Sequence, residues 1–133
     1  MTPSYTNVEN NFFERCNGEV EIISSKSNFN NFKNNVFYKL KGTEFRAPIA
    51  EMNGIPKSPL NRYNQVTDAV VAYNSWIECP TPWFFSVGSN VSQSNVLPAS
   101  EIRSARPERT IFANNLIYNS TISEYPIFNY DTV

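Results

Sequence analysis

One pattern recurs four times along this chain of 133 residues. In each copy an apolar residue is followed by Asn three places later, by a second apolar residue two places beyond that Asn, and by a fourth shared position three places further on. The copies occupy residues 8–16, 32–40, 71–79 and 112–120, so their starts are 24, 39 and 41 residues apart. A period in the low twenties, with short β-rich segments separated by Asn turns, is typical of one coil of a parallel β-helix. The sequence therefore predicts an all-β solenoid of about four coils.

The two longer spacings predict long loops inserted into the stack. Residues 46–65 and 80–109 are rich in Pro, Ser and Asn, which favour turns and irregular segments. We expect residues 1–133 to form a single partial β-helix domain with these two loops, because the length suits one domain. A β-sandwich is the alternative, but it would need strand signals every ~8–12 residues, antiparallel alternation and no fixed Asn.

The repeated Asn has a structural interpretation. An Asn that recurs at one turn can pass side-chain amide hydrogen bonds from coil to coil, and it tolerates the left-handed backbone that a corner needs. We therefore interpret these residues as turn formers rather than as functional groups. They are Asn11, Asn35, Asn74 and Asn115.

The two cysteines follow from the same alignment. Cys16 and Cys79 occupy the same repeat position, with Leu40 between them. Two strand spacings of ~4.8 Å separate them by roughly 10 Å, which exceeds the Cα separation of ~7 Å that a disulfide tolerates. The sequence predicts two free, buried thiols.

Composition removes several functional classes. A formal net charge of −1 and a pI near 5.4, without any run of Lys and Arg, argue against nucleic-acid binding. Because the chain has no histidine, a Ser-His or Cys-His pair is excluded, and a metal would need mostly oxygen ligands. No apolar stretch approaches the ~20 residues that span a bilayer, and the first residues lack the pattern of a signal peptide. We expect a soluble chain without membrane contact.

The stretch EVEIISSKS, residues 19–27, combines two carboxylates with a lysine. In a strand, alternation turns Glu19 and Glu21 to one face, ~6–7 Å apart, and the intervening apolar residues to the other. Such a pair either holds a hard cation such as calcium or consists of two solvated carboxylates on an exposed face. Lys26, after a predicted turn at residues 24–25, is likewise either a solvated cation or a functional group.

Three longer stretches carry a resemblance to a known family. They resemble the chondroitinase B and alginate lyase family, often called polysaccharide lyase family six. The stretches are NNFFERCNGEVEIISSKSNFNNFKNNVFYKLKGT (10–43), FRAPIAEMNGIPKSPLNRYNQVTDAVVAYNSWIEC (45–79) and VLPASEIRSARPERTIFANNLIYN (96–119). The resemblance implies a right-handed parallel β-helix that cleaves an acidic, uronate-containing polysaccharide, either alginate or chondroitin or dermatan sulfate. It also implies export to the periplasm or out of the cell.

The resemblance assigns roles to three residues of this stretch. In the family, Ca²⁺ held by an Asn and two Glu neutralises the uronate carboxylate, a Lys removes the C5 proton and an Arg supplies the acid. Glu19 and Glu21 match the two Glu ligands, and Lys26 matches the base. Proton removal next to a carboxylate develops negative charge there, which a bound cation stabilises.

The chain also departs from the family pattern, as a truncated and internally shortened member would. The Asn ligand precedes the Glu pair by more than a coil and has no counterpart here. The sequence passes from KGT (41–43) directly to EFRAP (44–48), so the expected Arg-His pair is missing. Arg46 is a candidate for the acid, but its register is shifted by one residue, which reverses the face of a strand. Arg46, Arg103 and Arg106 are candidates for carboxylate contacts with substrate.

Two further functions stay open. A catalytically impaired remnant or a carbohydrate-binding β-helix would contact acidic glycans through arginines and through aromatic residues such as Trp76, Trp83 and Phe84. Of these, Trp76 is expected in the core, whereas Trp83 could face either the core or a ligand. The third functional hypothesis is a structural or adhesion repeat protein, and only the predicted solenoid fold supports it. The sequence does not predict an oligomeric state.

Overall fold

A computed structural model of the chain describes residues 4–18, 21–40, 47–54, 64–87, 105–120 and 128–129. Regular structure in these ranges is entirely β, which confirms the all-β prediction. In the same ranges there is no helix long and apolar enough to cross a membrane.

The described strands follow one another in groups of three, and we call each group a coil. Coil 1 holds β1 (Asn7–Glu9), β2 (Phe12–Glu14) and β3 (Glu21–Ser25). Coil 2 holds β4 (Asn31–Lys33), β5 (Val36–Tyr38) and β6 (Ala47–Met52). Coil 3 holds β7 (Val70–Ala72), β8 (Ser75–Ile77) and β9 (Trp83–Val87). Coil 4 holds β10 (Ile111–Ala113), β11 (Leu116–Tyr118) and β12 (Phe128–Asn129).

Each coil contributes one strand to each of three sheets. Sheet A has the order β1-β4-β7-β10, sheet B the order β2-β5-β8-β11, and sheet C the order β3-β6-β9-β12. Every pair of these strands is parallel. This topology is consistent with a parallel β-helix and excludes the antiparallel sandwich for the described strands.

Two strands lie inside the segments predicted to be loops. β6 falls within residues 46–65 and β9 within 80–109. The repeat spans only the first two strands of each coil, and the third strand follows after a variable gap without an Asn to mark it. The start of each predicted loop is therefore strand, while residues 55–63 and 88–104 lie outside the described part of the chain.

The prediction that the repeat Asn itself adopts the left-handed backbone at the corner is wrong by one residue. Asn10, Asn34, Tyr73 and Asn114 have φ between 54° and 60°, and each directly precedes the repeat Asn. None of the four repeat Asn residues has a positive φ. Their role is to hydrogen-bond, and the preceding residue makes the turn.

The predicted Asn ladder is present. Both the backbone N–H and the Nδ2 of Asn35 donate to Oδ1 of Asn74, at 3.0 and 3.1 Å. The same Nδ2 donates to the carbonyl of Val8 in coil 1 at 2.8 Å. Asn11 donates in the same way to Asn35, and Asn74 to Asn115. The ladder therefore satisfies polar groups at one corner of all four coils.

Aromatic side chains fill the interior. Phe37 and Trp76, the central residues of β5 and β8, are fully buried and stack with ring centroids 5.5 Å apart. Phe13 stacks on Phe37 from coil 1 at 5.1 Å. Stacked rings follow naturally from parallel, in-register strands, because equivalent side chains lie one strand spacing apart.

The prediction for the cysteines is half correct. Both thiols are free, and Cys79 is buried, but Cys16 is exposed. Burial raises the pKa of the Cys79 thiol to about 11. Cys16 belongs to coil 1. Among the described residues only coil 2 stacks against coil 1, so the thiol is covered from one side only.

Candidate functional site

The candidate site lies on the outer face of β3. Ile22 and Ile23 are adjacent in sequence, yet both pack against the main core. Two consecutive inward residues interrupt the alternation of a strand. As a result, Glu21 and Ser24 lie on the same outer face, although they are three positions apart and strict alternation would place them on opposite faces.

Register with the neighbouring strand supports this assignment. Glu21 pairs with Ala47 and Ser24 pairs with Ala50. Ala47 and Ala50 form an apolar cluster with Phe84 that is separate from the main core. This cluster occupies the outer side of sheet C, so Glu21 is directed away from the apolar interior.

The outer face of sheet C is open at coil 1 and covered further along. Ser24 is exposed, whereas the equivalent residues of coils 2 and 3, Ala50 and Phe84, are 0% and 2% exposed. Glu21 and Lys26 are half-exposed. Glu21, Ser24 and Lys26 are therefore accessible to solvent, whereas Ala50 and Phe84 on the neighbouring strands are buried.

Lys26 directly follows the last residue of β3. The turn predicted at residues 24–25 is wrong, because Ser24 and Ser25 belong to the strand, and Ser25 is buried. The Nδ2 of Asn30 lies 3.4 Å from the Ser25 hydroxyl. In an extended strand the Cα atoms of Glu21 and Lys26 are roughly 16 Å apart, so a ligand that contacts both has to extend along the strand.

Three of the predicted site residues, Glu19, Arg46 and Arg103, lie outside the described residues. Arg106 is exposed, and its carbonyl accepts a hydrogen bond of 2.8 Å from Nε2 of Gln65. Its neighbour Ala105 pairs through two backbone hydrogen bonds of 2.8 Å with Gly54, two residues after β6. This pairing holds Arg106 near the end of the strand beside β3.

The described residues contain no group of three or more His, Cys, Asp or Glu side chains that could hold a metal. Glu21 supplies one carboxylate on the open face. The other acidic residue of this sheet, Glu51, is fully buried and accepts a hydrogen bond of 2.8 Å from the Thr110 hydroxyl. Of the two predicted Glu ligands, Glu21 lies in the described part of the chain and Glu19 lies outside it.

Glu51 was missed by the sequence reasoning. Burial raises its pKa to about 7, and the hydrogen bond from Thr110 opposes that rise. The sequence did contain a signal for a buried carboxyl group, because Glu51 is the only charged residue in the apolar stretch APIAEM (47–52). Because it lies on the inner side of β6, it belongs to the core and not to the open face.

The aromatic residues considered for glycan contact are buried. Trp83 is 7% exposed and stacks on Phe112 with ring centroids 4.4 Å apart. Trp76 is 0% exposed, as expected for a core residue, and Phe84 is 2% exposed. Trp83 therefore faces the core, and a glycan-binding surface built from these three residues is excluded.

Comparison with known proteins decides the family. The family model described as Chondroitinase B matches residues 1–44 and 33–133, which together span the chain. The chain belongs to the chondroitinase B family. The two matched ranges overlap, so this chondroitinase B relative aligns with its family in two pieces. A search of the curated proteins finds no match.

Family membership bears on the chemistry of the open face. The chondroitinase B match indicates a polysaccharide lyase-like protein that acts on an acidic polysaccharide. In β3 and directly after it, Ser24 is exposed and Glu21 and Lys26 are half-exposed. The individual roles of these residues stay predictions.

Proposed function

We propose that this member of the chondroitinase B family is a polysaccharide lyase of family six that cleaves alginate or chondroitin or dermatan sulfate by β-elimination. The observation that carries the proposal is the family match over the whole chain. The half-exposed positions of Glu21 in β3 and of Lys26 directly after this strand support it. We also infer a right-handed β-helix and export from the cell, as in the family that the sequence resembles.

Lys26 is the proposed base. A β-elimination removes the proton at C5 of the uronate, the electron pair forms the C4–C5 double bond, and the C4–O bond to the next sugar breaks. Lys26 in its neutral form would take the C5 proton. A half-exposed position at the end of a rigid strand suits a side chain that must meet a polymer and then release it.

Glu19 and Glu21 are the proposed calcium ligands. A bound Ca²⁺ would stabilise negative charge on the uronate carboxylate as the proton leaves. Carboxylate oxygens are the ligands that Ca²⁺ prefers, and Glu21 is accessible for that purpose. Two carboxylates are fewer ligands than calcium takes, so substrate and water oxygens would complete its shell.

The proton for the leaving oxygen would come from an arginine or from water. Arg46 directly precedes β6, the neighbour of β3, which makes it our proposal for this role. Arg103 and Arg106 are proposed to hold substrate carboxylates through their guanidinium groups. The proximity of Arg106 to the end of β6 supports its assignment to this side of the molecule.

Activity measurements test the proposal. The purified chain is incubated with alginate and with dermatan sulfate, and the ultraviolet absorbance of the unsaturated product is followed. We expect turnover with one polymer and a loss of at least about 100-fold for Lys26→Ala, the usual range for a general base. Lys39→Ala is the matched control, because Lys39 is an exposed lysine over the Tyr38 ring in sheet B. Equal activity of the two variants would contradict the role of Lys26.

Calcium and binding measurements distinguish the lyase from the second candidate function, a remnant that binds acidic glycans without cleaving them. The match of the family model in two overlapping pieces favours a shortened relative that binds acidic glycans without turnover. Calorimetric titration with dermatan sulfate or alginate oligosaccharides would then detect binding in the absence of product. If a chelator changes neither activity nor melting temperature, and Glu21→Gln behaves like the parent chain, the calcium assignment is wrong.

A further inference from the structure

Two buried polar side chains lie next to each other at the end of β6. Glu51 and Asn53 are 0% and 1% exposed. Met52, between them in sequence, packs against the apolar cluster on the outer side of sheet C. Alternation along the strand therefore directs Glu51 and Asn53 to the inner side. The pair belongs to the core and is separate from the accessible residues of β3.

Within the described part of the chain, three polar atoms of this pair have no hydrogen-bond partner. They are Oε1 of Glu51 and both Oδ1 and Nδ2 of Asn53. The other carboxylate oxygen, Oε2, accepts the hydrogen bond of 2.8 Å from the Thr110 hydroxyl. Buried polar atoms in native proteins are nearly always paired, either with protein groups or with ordered water. The three atoms therefore indicate a partner other than a described side chain.

Small residues beside Glu51 leave room for such a partner. Ser25 pairs with Glu51 in register on the side of coil 1. On the side of coil 3, Ala69 occupies the position equivalent to Thr110, because β7 and β10 pair in register directly after these two residues. Ala69 is fully buried, and its side chain ends at Cβ. Thr110 in coil 4 therefore reaches Glu51 in coil 2 past an alanine.

We propose that an internal water molecule binds between Glu51 and Asn53 and hydrogen-bonds to both side chains. Residues two apart in a strand have Cα atoms ~6–7 Å apart, and these two side chains do not hydrogen-bond to each other. One water spans such a gap by pairing with Oε1 of Glu51 and with one end of the Asn53 amide. The other end of the amide would take a second water. This inference does not depend on the lyase activity.

The mixture of donors and acceptors favours water over a cation. A cation would bind Oε1 of Glu51 and Oδ1 of Asn53, but it would leave the N–H donors of Nδ2 without an acceptor. The described residues also contain no group of three or more His, Cys, Asp or Glu side chains that could hold a metal. Water both donates and accepts, so it can pair with the carboxyl group of Glu51 with or without its proton.

A high-resolution crystal structure of the parent chain tests the site directly. We expect a peak of electron density ~2.7–3.2 Å from Oε1 of Glu51 and from one amide atom of Asn53. A direct hydrogen bond between the two side chains, without such a peak, overturns the proposal. Crystals grown in rubidium chloride test for a cation, because Rb⁺ scatters anomalously. An anomalous peak between Glu51 and Asn53 also overturns the proposal.

Magnetic relaxation dispersion of water oxygen-17 counts long-lived internal waters in solution. Asn53→Leu replaces the amide by an apolar group of similar shape, so the variant should hold at least one long-lived water fewer than the parent chain. Asn7→Leu, at an exposed asparagine of β1, is the matched control and should keep the count. Circular dichroism first establishes that both variants fold. An unchanged count in folded Asn53→Leu overturns the proposal.

A double-mutant cycle measures whether the two side chains are coupled. Glu51→Leu or Asn53→Leu alone leaves the water and the remaining polar side chain partly unpaired, whereas the double variant removes the whole group. The unfolding equilibrium constant of the double variant should therefore rise less than the product of the two single effects, by at least about fivefold. Glu14→Leu, at an exposed glutamate of β2, replaces Glu51→Leu in the control cycle and should show no coupling to Asn53→Leu. Coupling of Glu51 to Asn53 below about twofold overturns the proposal.

Discussion

The Thr110 hydroxyl donates a hydrogen bond of 2.8 Å to Oε2 of Glu51 and so connects the start of coil 4 to β6 in coil 2. The other carboxylate oxygen, Oε1, is buried without a hydrogen-bond partner. Glu51 pairs in register with Ser25 and Phe85, and neither carries a charge. The carboxyl group is therefore held in the core without a cation among its strand neighbours.

Stability should fall as the pH rises through the range in which this group ionises. The pKa of Glu51 is raised from 4.5 to about 7 by burial, so the folded protein keeps a proton that the unfolded chain releases. Unfolding then releases a proton between these two values, and the free energy of unfolding decreases with pH across this window. The full difference amounts to about 3 kcal/mol, present below pH 4.5 and lost above about pH 7.

Urea unfolding between pH 4 and pH 8 measures this effect. Glu51→Gln keeps an acceptor for Thr110 but cannot ionise, so it should flatten the decline and raise the stability at pH 8. Glu14→Gln, at an exposed glutamate of β2, should leave the pH profile unchanged. An unaltered decline in Glu51→Gln would show that other groups cause it.

Removing an inner rung of the Asn ladder should destabilise the protein strongly. Asn74 is 1% exposed, accepts two hydrogen bonds from Asn35 and donates to the carbonyl of Phe32 and to Asn115. Asn74→Ala leaves these buried groups unpaired, which costs about 2–4 kcal/mol. Asn11→Ala, at the exposed end of the ladder, should cost about 1 kcal/mol or less. Thermal denaturation compares the two, and similar losses would refute the ladder as a source of stability.

Gly54 is required by close backbone contact. A Cβ atom at this position would lie 2.6 Å from both Cα and N of Gln65, and Gly54 also exchanges two backbone hydrogen bonds with Ala105. Gly54→Ala should therefore destabilise the chain by about 1–3 kcal/mol. Hydrogen exchange at the amide of Ala105 should accelerate. A Cβ at Gly18 would meet nothing within 4 Å, so Gly18→Ala should be neutral or slightly stabilising.

The two thiols should differ in reactivity. Under dilute, non-denaturing conditions a thiol reagent should modify Cys16, which is exposed, and spare Cys79, whose pKa is raised to about 11 by burial. We expect one equivalent to react rapidly and the second only after unfolding, with Cys16→Ser removing the rapid phase. Rapid reaction of both thiols in the folded protein would contradict the burial of Cys79.

Local hydrogen-bonding chemistry was readable from the sequence. The spacing of the repeat predicted the stacked coils, and the recurrence of Asn11 and Asn35 in one column predicted a ladder between them. Free thiols followed from the same alignment. These predictions succeeded because a parallel stack repeats one contact at one position of every coil, so a fixed residue spacing encodes it.

Features of the candidate site depended on tertiary structure. Alternation alone did not place Glu21 and Ser24 on one outer face, because that arrangement requires both Ile22 and Ile23 to turn inward. The third strand of each coil also lacks an Asn signal, so β6 and β9 were assigned to loops.

The sequence by itself determined the family, the stacking period and the partners within the Asn ladder. Only the tertiary structure decided which residues at one repeat position are buried, since Cys79 is buried and Cys16 is exposed. It also decided that Trp83 packs in the core and does not face a ligand. The physical reason is that hydrogen-bond geometry is set by residues at fixed spacing along the chain. Burial, in contrast, is set by whichever segments lie above, below and beside a residue, and a repeat pattern carries no information about where the stack ends.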